Sequence, residues 1–410
     1  MRRLAVVGGG IGGVATAYLC DPDWTIDLFE AGPRLGGNAA TVEVEGTPVD
    51  LGAETFNPAT HPLYWRLLAQ IGADETIVEI PGTLSVFDAS TRRSRFVSSH
   101  ALRTPRYAIG FARFTRAARR FIDADPSPDL TVGEWFDLSA DRPFEREVLL
   151  PWLASLTSSR VETLKTQSML AFLTLFAPAF PANVLASAKT YGSRIGLGGI
   201  VDLLSERCEN LTVQLGSPVS RVSRDGDGWY VATPAGRHGP YERVVVNAPP
   251  YAARELLVDA PTALRELLAR YDYYPARLVL HRDASCMPAD RHDWAMHNAA
   301  ADHETCEATF WLGAYRTDAA GRPLDLFKSW ATYRDVDPAT VVAEREFRHL
   351  LLTPDAVRAA ADLERWQGVD GLHFVGHATA VTDLQETALA SGMNVARALS
   401  PESPRLRALA

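Results

Sequence analysis

The 410-residue sequence predicts an α/β fold, a parallel sheet wrapped by helices and interrupted by an inserted α+β unit. Three observations carry that expectation. A short run from Arg3 to Val7, ending in glycine, reads as a buried strand and leads into the spacing Gly8-x-Gly10-x-x-Gly13. A second strand, glycine, loop and helix follow one another at the far end, between Leu372 and Leu399. The chain is also too long for one simple core, so two domains are expected.

The first stretch is the most specific. Gly12 to Leu19 is small and apolar, as a helix packed against a sheet must be, and Thr25 to Phe29 is a second strand ended by Glu30. In this arrangement Gly8 permits the tight turn, Gly10 lets a diphosphate approach the backbone, and Gly13 lets helix and sheet pack closely. The helix start at Ile11 and Gly12 offers free N–H groups and a positive dipole end. Glu30, with Ala31 after it, lies where an acid accepts hydrogen bonds from a ribose hydroxyl and repels a 2′-phosphate. A structural glycine turn is the plainer alternative. The two strands, the helix and the acid at the right distance favour a dinucleotide site that does not take NADP.

Composition narrows the function classes. Hydrophobic residues make up 47% and charged residues 22%, as in ordinary globular proteins, and the net charge of −9 argues against a general nucleic-acid binder. Cys20, Cys208, Cys286 and Cys306 are far apart and form no C-x-x-C, so no metal site or disulfide framework is expected. Asp302, His303 and Glu304 with His292 and His297 lack the spacing of a ligand set. With no signal-like segment before the first strand and no long apolar run, a cytoplasmic protein without a transmembrane segment is expected.

Along the chain, Tyr64 to Ile71 has helical spacing and Gly72 closes it. Thr83 to Asp88 and Arg95 to Ser98 read as paired strands. Residues 99–190 read as largely helical. In Phe111 to Ala124 the arginines Arg113, Arg116, Arg119 and Arg120 fit a solvated helix face better than a basic docking surface. Arg146 to Leu156 and Ser168 to Phe176 are apolar helices, the second broken by the prolines of APAFP and better read as core than as a cavity lining. Short strands surround an Asp225-Gly226 turn. Val341 to Leu352 reads as a helix, and Leu384 to Leu399 as another with Thr382 or Asp383 as N-cap.

Arg34-Leu35-Gly36-Gly37-Asn38 and Asp50-Leu51-Gly52-Ala53 follow the ribose acid. At these residues the chain resembles the flavin amine oxidase and phytoene desaturase superfamily. The resemblance implies a Rossmann-like FAD-binding domain of the glutathione-reductase-like GR2 type. Its parts would be residues 1–60, 190–250 and 367–400, with 61–189 and 251–366 forming an α+β substrate domain. It implies that Arg34, Gly36, Gly37 and Asn38 meet the FAD diphosphate and flavin edge. Val219, with Val222, matches the strand that holds the adenine. Gly376 and His377 fall where the family meets ribityl and phosphate groups, although His377 replaces an acid or a small residue. The helix beginning at Leu384 and Gln385 is implied to point at the flavin N1–C2 carbonyl, where its dipole stabilises the charge of the reduced ring.

Residues 52–73, GAETFNPATHPLYWRLLAQIGA, and 279–298, VLHRDASCMPADRHDWAMHN, resemble a bacterial subgroup of FAD-binding oxidoreductases often encoded beside cyclopropane-fatty-acid synthases. Many amine oxidases place a lysine of a substrate-domain strand near flavin N5. The corresponding stretch here offers Arg277, so simple amine oxidation is not expected. Lys328 and His377 are further catalytic candidates, and His377 and Cys286 are candidate points of covalent flavin attachment. The implied chemistry is hydride removal from a C–H bond of a hydrophobic small molecule or lipid. A redox-neutral flavin isomerase, an NAD-dependent dehydrogenase and a non-catalytic flavin protein are the alternatives.

Overall fold

The structure, a computed structural model, describes residues 2–137, 142–179, 188–302, 304–318 and 320–409. His303 and the Phe180-Pro181 part of the helix break lie outside them. Five strands form a wholly parallel sheet in the order Leu372–Phe374, Arg243–Val246, Arg2–Val7, Trp24–Phe29, Leu211–Gln214. The central strand is apolar on both sides because both sides are covered, and Leu4, Ala5 and Val6 are fully buried. On one face lie the helices Ile11–Cys20, Pro62–Ile71, Gly196–Glu206 and Gln385–Leu399. On the other face lie a three-stranded antiparallel sheet, Arg221–Asp225, Gly228–Thr233 and Gly236–Tyr241, and the helices Pro250–Leu256, Thr262–Leu268 and Pro354–Leu363.

All ten residues of the helix Ile11–Cys20 are buried, which is why it carries small residues all round in place of an apolar stripe. Its neighbour Gln385–Leu399 comes so close that a Cβ on Gly392 would stand 2.8 Å from the Gly12 carbonyl oxygen. The helix Pro62–Ile71 ends in Gly72, left-handed at φ 74°, as its spacing predicts.

A second sheet has seven strands in the order Val341–Leu350, Tyr273–His281, Phe327–Trp330, Cys306–Trp311, His297–Ala301, Leu84–Asp88, Ser94–Val97. Helices between residues 105 and 174 pack against it through Phe114, Phe136, Leu153 and Phe172. Met169–Thr174 is core, with Ala171, Phe172 and Leu173 fully buried. The helix Pro105–Asp123 buries Tyr107, Phe114 and Ala118 and leaves Arg113, Arg116 and Arg120 exposed. The two layers meet where Leu278, Leu280, Trp330 and Phe347 pack on Ala40, Val49 and Leu51.

Two expectations are corrected. Val341–Leu350 is a strand, not a helix, and pairs with the whole length of Tyr273–His281. Ala343, Arg345 and Phe347 turn inward while Val342, Glu344, Glu346 and Arg348 are exposed, a two-residue alternation that partner pairing selects over the helical period. The closing helix begins after Leu384, not at Thr382 or Asp383; the Leu384 N–H donates to Thr387 Oγ1 at 3.1 Å.

Candidate active site

The glycine turn stands at the carboxyl end of the parallel sheet. Gly8 is left-handed at φ 105°, a conformation that only glycine adopts without strain, and a Cβ there would lie 2.6 Å from the Asn247 carbonyl oxygen. A Cβ on Gly13 would lie 2.3 Å from the Gly8 oxygen. Gly10 is the N-cap of the helix that follows. No side chain caps it and no acid stands in its first turn, so its free N–H groups face the space above the sheet.

Around that helix start the predicted residues converge. Both oxygens of Glu30 accept backbone N–H groups, from Gly9 at 2.7 Å and Gly32 at 2.7 Å. Ala31 is exposed beside them. Gly36 donates its N–H to the Gly9 carbonyl at 2.9 Å, and Gly37 lies against Gly10. The Asn38 carbonyl accepts the Ala53 N–H at 3.1 Å, tying this loop to the Asp50–Glu54 segment. Gly216 and Ser217 donate to the Gly32 and Glu30 carbonyls, which brings the partly buried Val219 to the same end of the sheet.

Asn247 gave no functional signal beyond its place after a β-branched run, yet it ties the site together. Its Nδ2 donates to the carbonyls of Gly8 at 3.1 Å and Gly10 at 3.2 Å, and its Oδ1 would stand 2.7 Å from a Cβ on Gly376. Asn247→Asp, which keeps the shape but sets a carboxylate against two carbonyls, is expected to destabilise the fold by about 1–3 kcal/mol. Asn247→Ala should cost less, as chemical denaturation of the two variants will show.

The closing segment completes the ring. Gly376 at φ 99° follows the last parallel strand, and its N–H donates to Ser391 Oγ at 2.8 Å. His377 Nε2 is 2.9 Å from the Tyr273 hydroxyl. His61, 3% exposed, is pushed down to about 4 by burial and is therefore neutral. Its Nδ1 accepts the Asn57 backbone N–H at 3.5 Å and lies 2.7 Å from Thr60 Oγ1, so the proton sits on Nε2, which faces Gln385 Oε1 at 3.2 Å. This fixes the amide with Nε2 turned the other way, buried and without a protein partner. Glu386 accepts the Leu63 and Tyr64 N–H groups, at 2.9 and 2.8 Å, and so caps the helix Pro62–Ile71.

The third element comes from the seven-stranded sheet. Lys328 is buried in an ion pair with Glu54, and the Tyr315 hydroxyl donates to the other Glu54 oxygen. Burial alone would raise the Glu54 carboxyl; the Lys328 charge and the two hydrogen bonds hold it lower, and the pair is ionised. Nearby Asp50 is raised to about 6 by burial. Strand alternation puts Lys328 and Trp330 on the face toward Asp50–Glu54. There Trp330, Phe347, His349 and Tyr274 form an aromatic corner, with Trp330 and His349 centroids 4.9 Å apart.

Two candidates lie on the other face of this sheet. Arg277 points to the opposite face from Leu278 and Leu280 and forms a half-exposed ion pair with Glu344 at 2.6 Å. Cys286 is buried with Val279, Ala331 and Val336 on that opposite face. His297 is buried against Ser155 Oγ at 2.9 Å, and among the described residues no three His, Cys, Asp or Glu side chains could share a metal ion. Among the described residues no helix is long and apolar enough to cross a membrane.

The donors present fit a dinucleotide that carries a flavin. The capless helix start, glycines that a Cβ would fill and the unpartnered Gln385 Nε2 line one continuous edge. The comparisons agree. The chain is 32% identical over 151 residues to coproporphyrinogen III oxidase of Mycobacterium tuberculosis, covering 36% of this chain and 30% of that protein. It is 25% identical over 291 residues to carotenoid 3,4-desaturase of Haloarcula japonica, covering 62% and 58%. The chain thus spans less than two thirds of the length of these curated relatives. A solved CLA-producing fatty acid isomerase from P. acnes shares the fold, with a TM-score of 0.68 at 12% identity over 97% of this chain and 98% of that one. The family described as flavin containing amine oxidoreductase matches residues 11–282, more than half of the sequence, so the chain belongs to that family and its cofactor is FAD.

Proposed function

We propose that this chain is an FAD-dependent oxidoreductase that removes hydride from a C–H bond of a hydrophobic small molecule or lipid, leaving a C=C or C=N bond. The observation that carries the reading is one continuous edge of the fold. At one end is the open start of the helix Ile11–Cys20, and at the other the buried Lys328–Glu54 pair beneath an aromatic corner. FAD supplies the hydride-accepting ring when bound. Gly8, Gly10, Ile11, Gly12, Gly13, Gly36 and Gly37 present backbone to its diphosphate. Glu30 keeps lone pairs free for a ribose hydroxyl. Gln385 Nε2, held by His61, donates to the ring carbonyl at the start of the closing helix.

The layer of parallel strands holds the cofactor, and the seven-stranded sheet covers its reacting face. The aromatic corner excludes water and accepts an apolar substrate, consistent with curated relatives named for a porphyrinogen and a carotenoid. The hydride leaves to the flavin, and the proton lost from the adjacent carbon or nitrogen as the C=C or C=N bond forms goes to solvent, because Lys328 and Glu54 neutralise each other and neither is a free base. Lys328 Nζ is a hydrogen-bond donor at that face. His377, held by Tyr273, positions the loop after Gly376.

The test begins with the visible spectrum of the purified protein and acid precipitation. Flavin colour that moves to the supernatant is expected, because Cys286 faces away from the cradle and His377 Nε2 is engaged by the Tyr273 hydroxyl. Anaerobic bleaching is then followed with polyenes, porphyrinogens, unsaturated fatty acids and amines. Bleaching by an apolar donor supports the proposal. Turnover that consumes no electron acceptor would replace oxidation by isomerisation. A protein that stays colourless with added FAD overturns the reading.

A further inference from the structure

The strand Val341–Leu350 is the edge of the seven-stranded sheet that lies over the glycine cradle. Its inward positions are Ala343, Arg345, Phe347 and His349, and Arg345 alone among them carries a permanent charge. The guanidinium is half-buried against the cradle. Its Nη2 donates to the Gly37 carbonyl at 3.0 Å, and it lies 4.9 Å from the Phe347 ring centroid. Gly37 itself lies against Gly10, the N-cap of the first helix.

The charges facing Arg345 are Arg34 and Glu30. Among the described residues Glu30 is the only acid acting on Arg345, and both of its oxygens already accept backbone N–H groups, while Asp202 acts on Arg34. Among the described residues neither Arg34 nor Arg345 forms a salt bridge. Burial and the Arg34 charge lower the Arg345 guanidinium, the direction expected of a cation held beside another cation. Two guanidinium groups and a helix N-terminus therefore converge on one place, opposed by the already engaged Glu30 and, at Arg34 alone, by Asp202. A polyanion fits that field, and a planar fork binds phosphate oxygens in pairs.

We propose that Arg345, supplied by the substrate-side sheet, is a second arginine on the cofactor diphosphate and latches that sheet onto the cradle when the cofactor binds. The inference rests on the FAD reading above. In the apoprotein Arg34 and Arg345 repel one another, and the edge strand is held mainly by its pairing with Tyr273–His281 and by Phe347. A bound diphosphate turns that repulsion into a bridge. Cofactor binding and closure over the reacting face then become one event.

The experiment uses flavin-stripped full-length protein titrated with FAD, followed by flavin fluorescence, and with ADP, followed by calorimetry. Each is run at low and at moderate salt. Arg345→Met is expected to weaken FAD and ADP by at least about 30-fold and to flatten the salt dependence of binding. Arg345→Lys, which keeps the charge without the fork, should fall between. Glu346→Gln, on the exposed face of the same strand, should bind as the parent does. Hydrogen exchange should show residues 341–350 gaining protection on adding ADP in the parent but not in Arg345→Met. A parent that binds FAD tightly while Arg345→Met binds it equally well, with the same salt dependence, overturns the latch alone. A parent that binds neither FAD nor ADP overturns the cofactor reading and the latch with it. Weaker binding in Arg345→Met with unchanged salt dependence assigns Arg345 to propping the Gly37 loop and also overturns the proposal.

Discussion

Gly10→Ala is expected to abolish tight FAD binding while leaving the apoprotein folded, and Gly13→Ala is expected to damage both. The two glycines occupy one turn but face different neighbours. Gly10 has ordinary extended backbone, φ −72° and ψ 171°, and a Cβ there meets only the Asn247 amide nitrogen at 3.1 Å. The fold can accept that methyl group with a small shift of one side chain. The cofactor cannot, because the methyl occupies the approach to the free N–H groups of the helix start. A loss of at least a hundredfold in FAD affinity, about 2.8 kcal/mol, is expected by fluorescence titration. At Gly13 the new Cβ meets the Gly8 carbonyl oxygen at 2.3 Å and Val6 at 3.1 Å, and the closest of these is backbone with no rotamer to yield. The helix must lift from the sheet, with an overpacking cost of about 1–3 kcal/mol, visible in denaturant unfolding of the apoprotein. Equal unfolding stability in both variants would remove the distinction between the roles drawn for Gly10 and Gly13.

The same turn shows what could be read from the chain. Gly8, Gly13, Gly36, Gly37 and Gly376 are legible because each answers a local demand, a positive φ or a close approach, that no other residue meets cheaply, and Gly10 and Glu30 are legible from their spacing to those glycines. The parallel strands are legible for a related reason, since burial on both faces leaves a continuous apolar run. Long-range pairings leave no such local mark. Asn247 follows an ordinary β-branched strand, and its bonds to Gly8 and Gly10 exist only because that strand lies beside the first. Lys328 and Glu54 stand 274 residues apart, and nothing local in either sequence announces the pair. Val341–Leu350 was misread because charged and apolar residues spaced as they are there satisfy a helical face about as well as a strand. Pairing with Tyr273–His281 made the choice. The N-cap moved to Leu384 for a similar reason: Thr387 reaches back to the Leu384 N–H, which leaves Thr382 and Asp383 outside the helix.

Lys328→Met is expected to be the most damaging single change in the substrate-side sheet, and its cause can be separated into stability and chemistry. Removing the ammonium leaves the Glu54 carboxylate buried, 12% exposed at its side chain, with the Tyr315 hydroxyl as its remaining side-chain donor among the described residues. Breaking a buried pair from one side costs about 3–5 kcal/mol, because the remaining charge has lost its solvent and its partner. The carboxyl answers by rising, since the charge that held it low is gone and burial now dominates. Lys328→Met should therefore be less unstable at low pH, where Glu54 takes a proton, than at neutral pH. The double variant Lys328→Met with Glu54→Gln removes both charges and should recover most of the lost stability at neutral pH. Glu54→Gln alone leaves Lys328 unpaired and should be destabilised by a similar amount. Turnover divides the two accounts of the pair. If Lys328 only props the Asp50–Glu54 segment, the double variant regains activity together with stability. If Nζ meets the reacting groups at the aromatic corner, stability returns and kcat remains low, while bound FAD keeps its parental affinity. The second outcome is the one expected, because the pair sits on the side of its strand that faces Asp50–Glu54, beside Trp330, whose indole nitrogen is buried without a protein partner. A site that held substrate only through packing would have no need of a buried donor there.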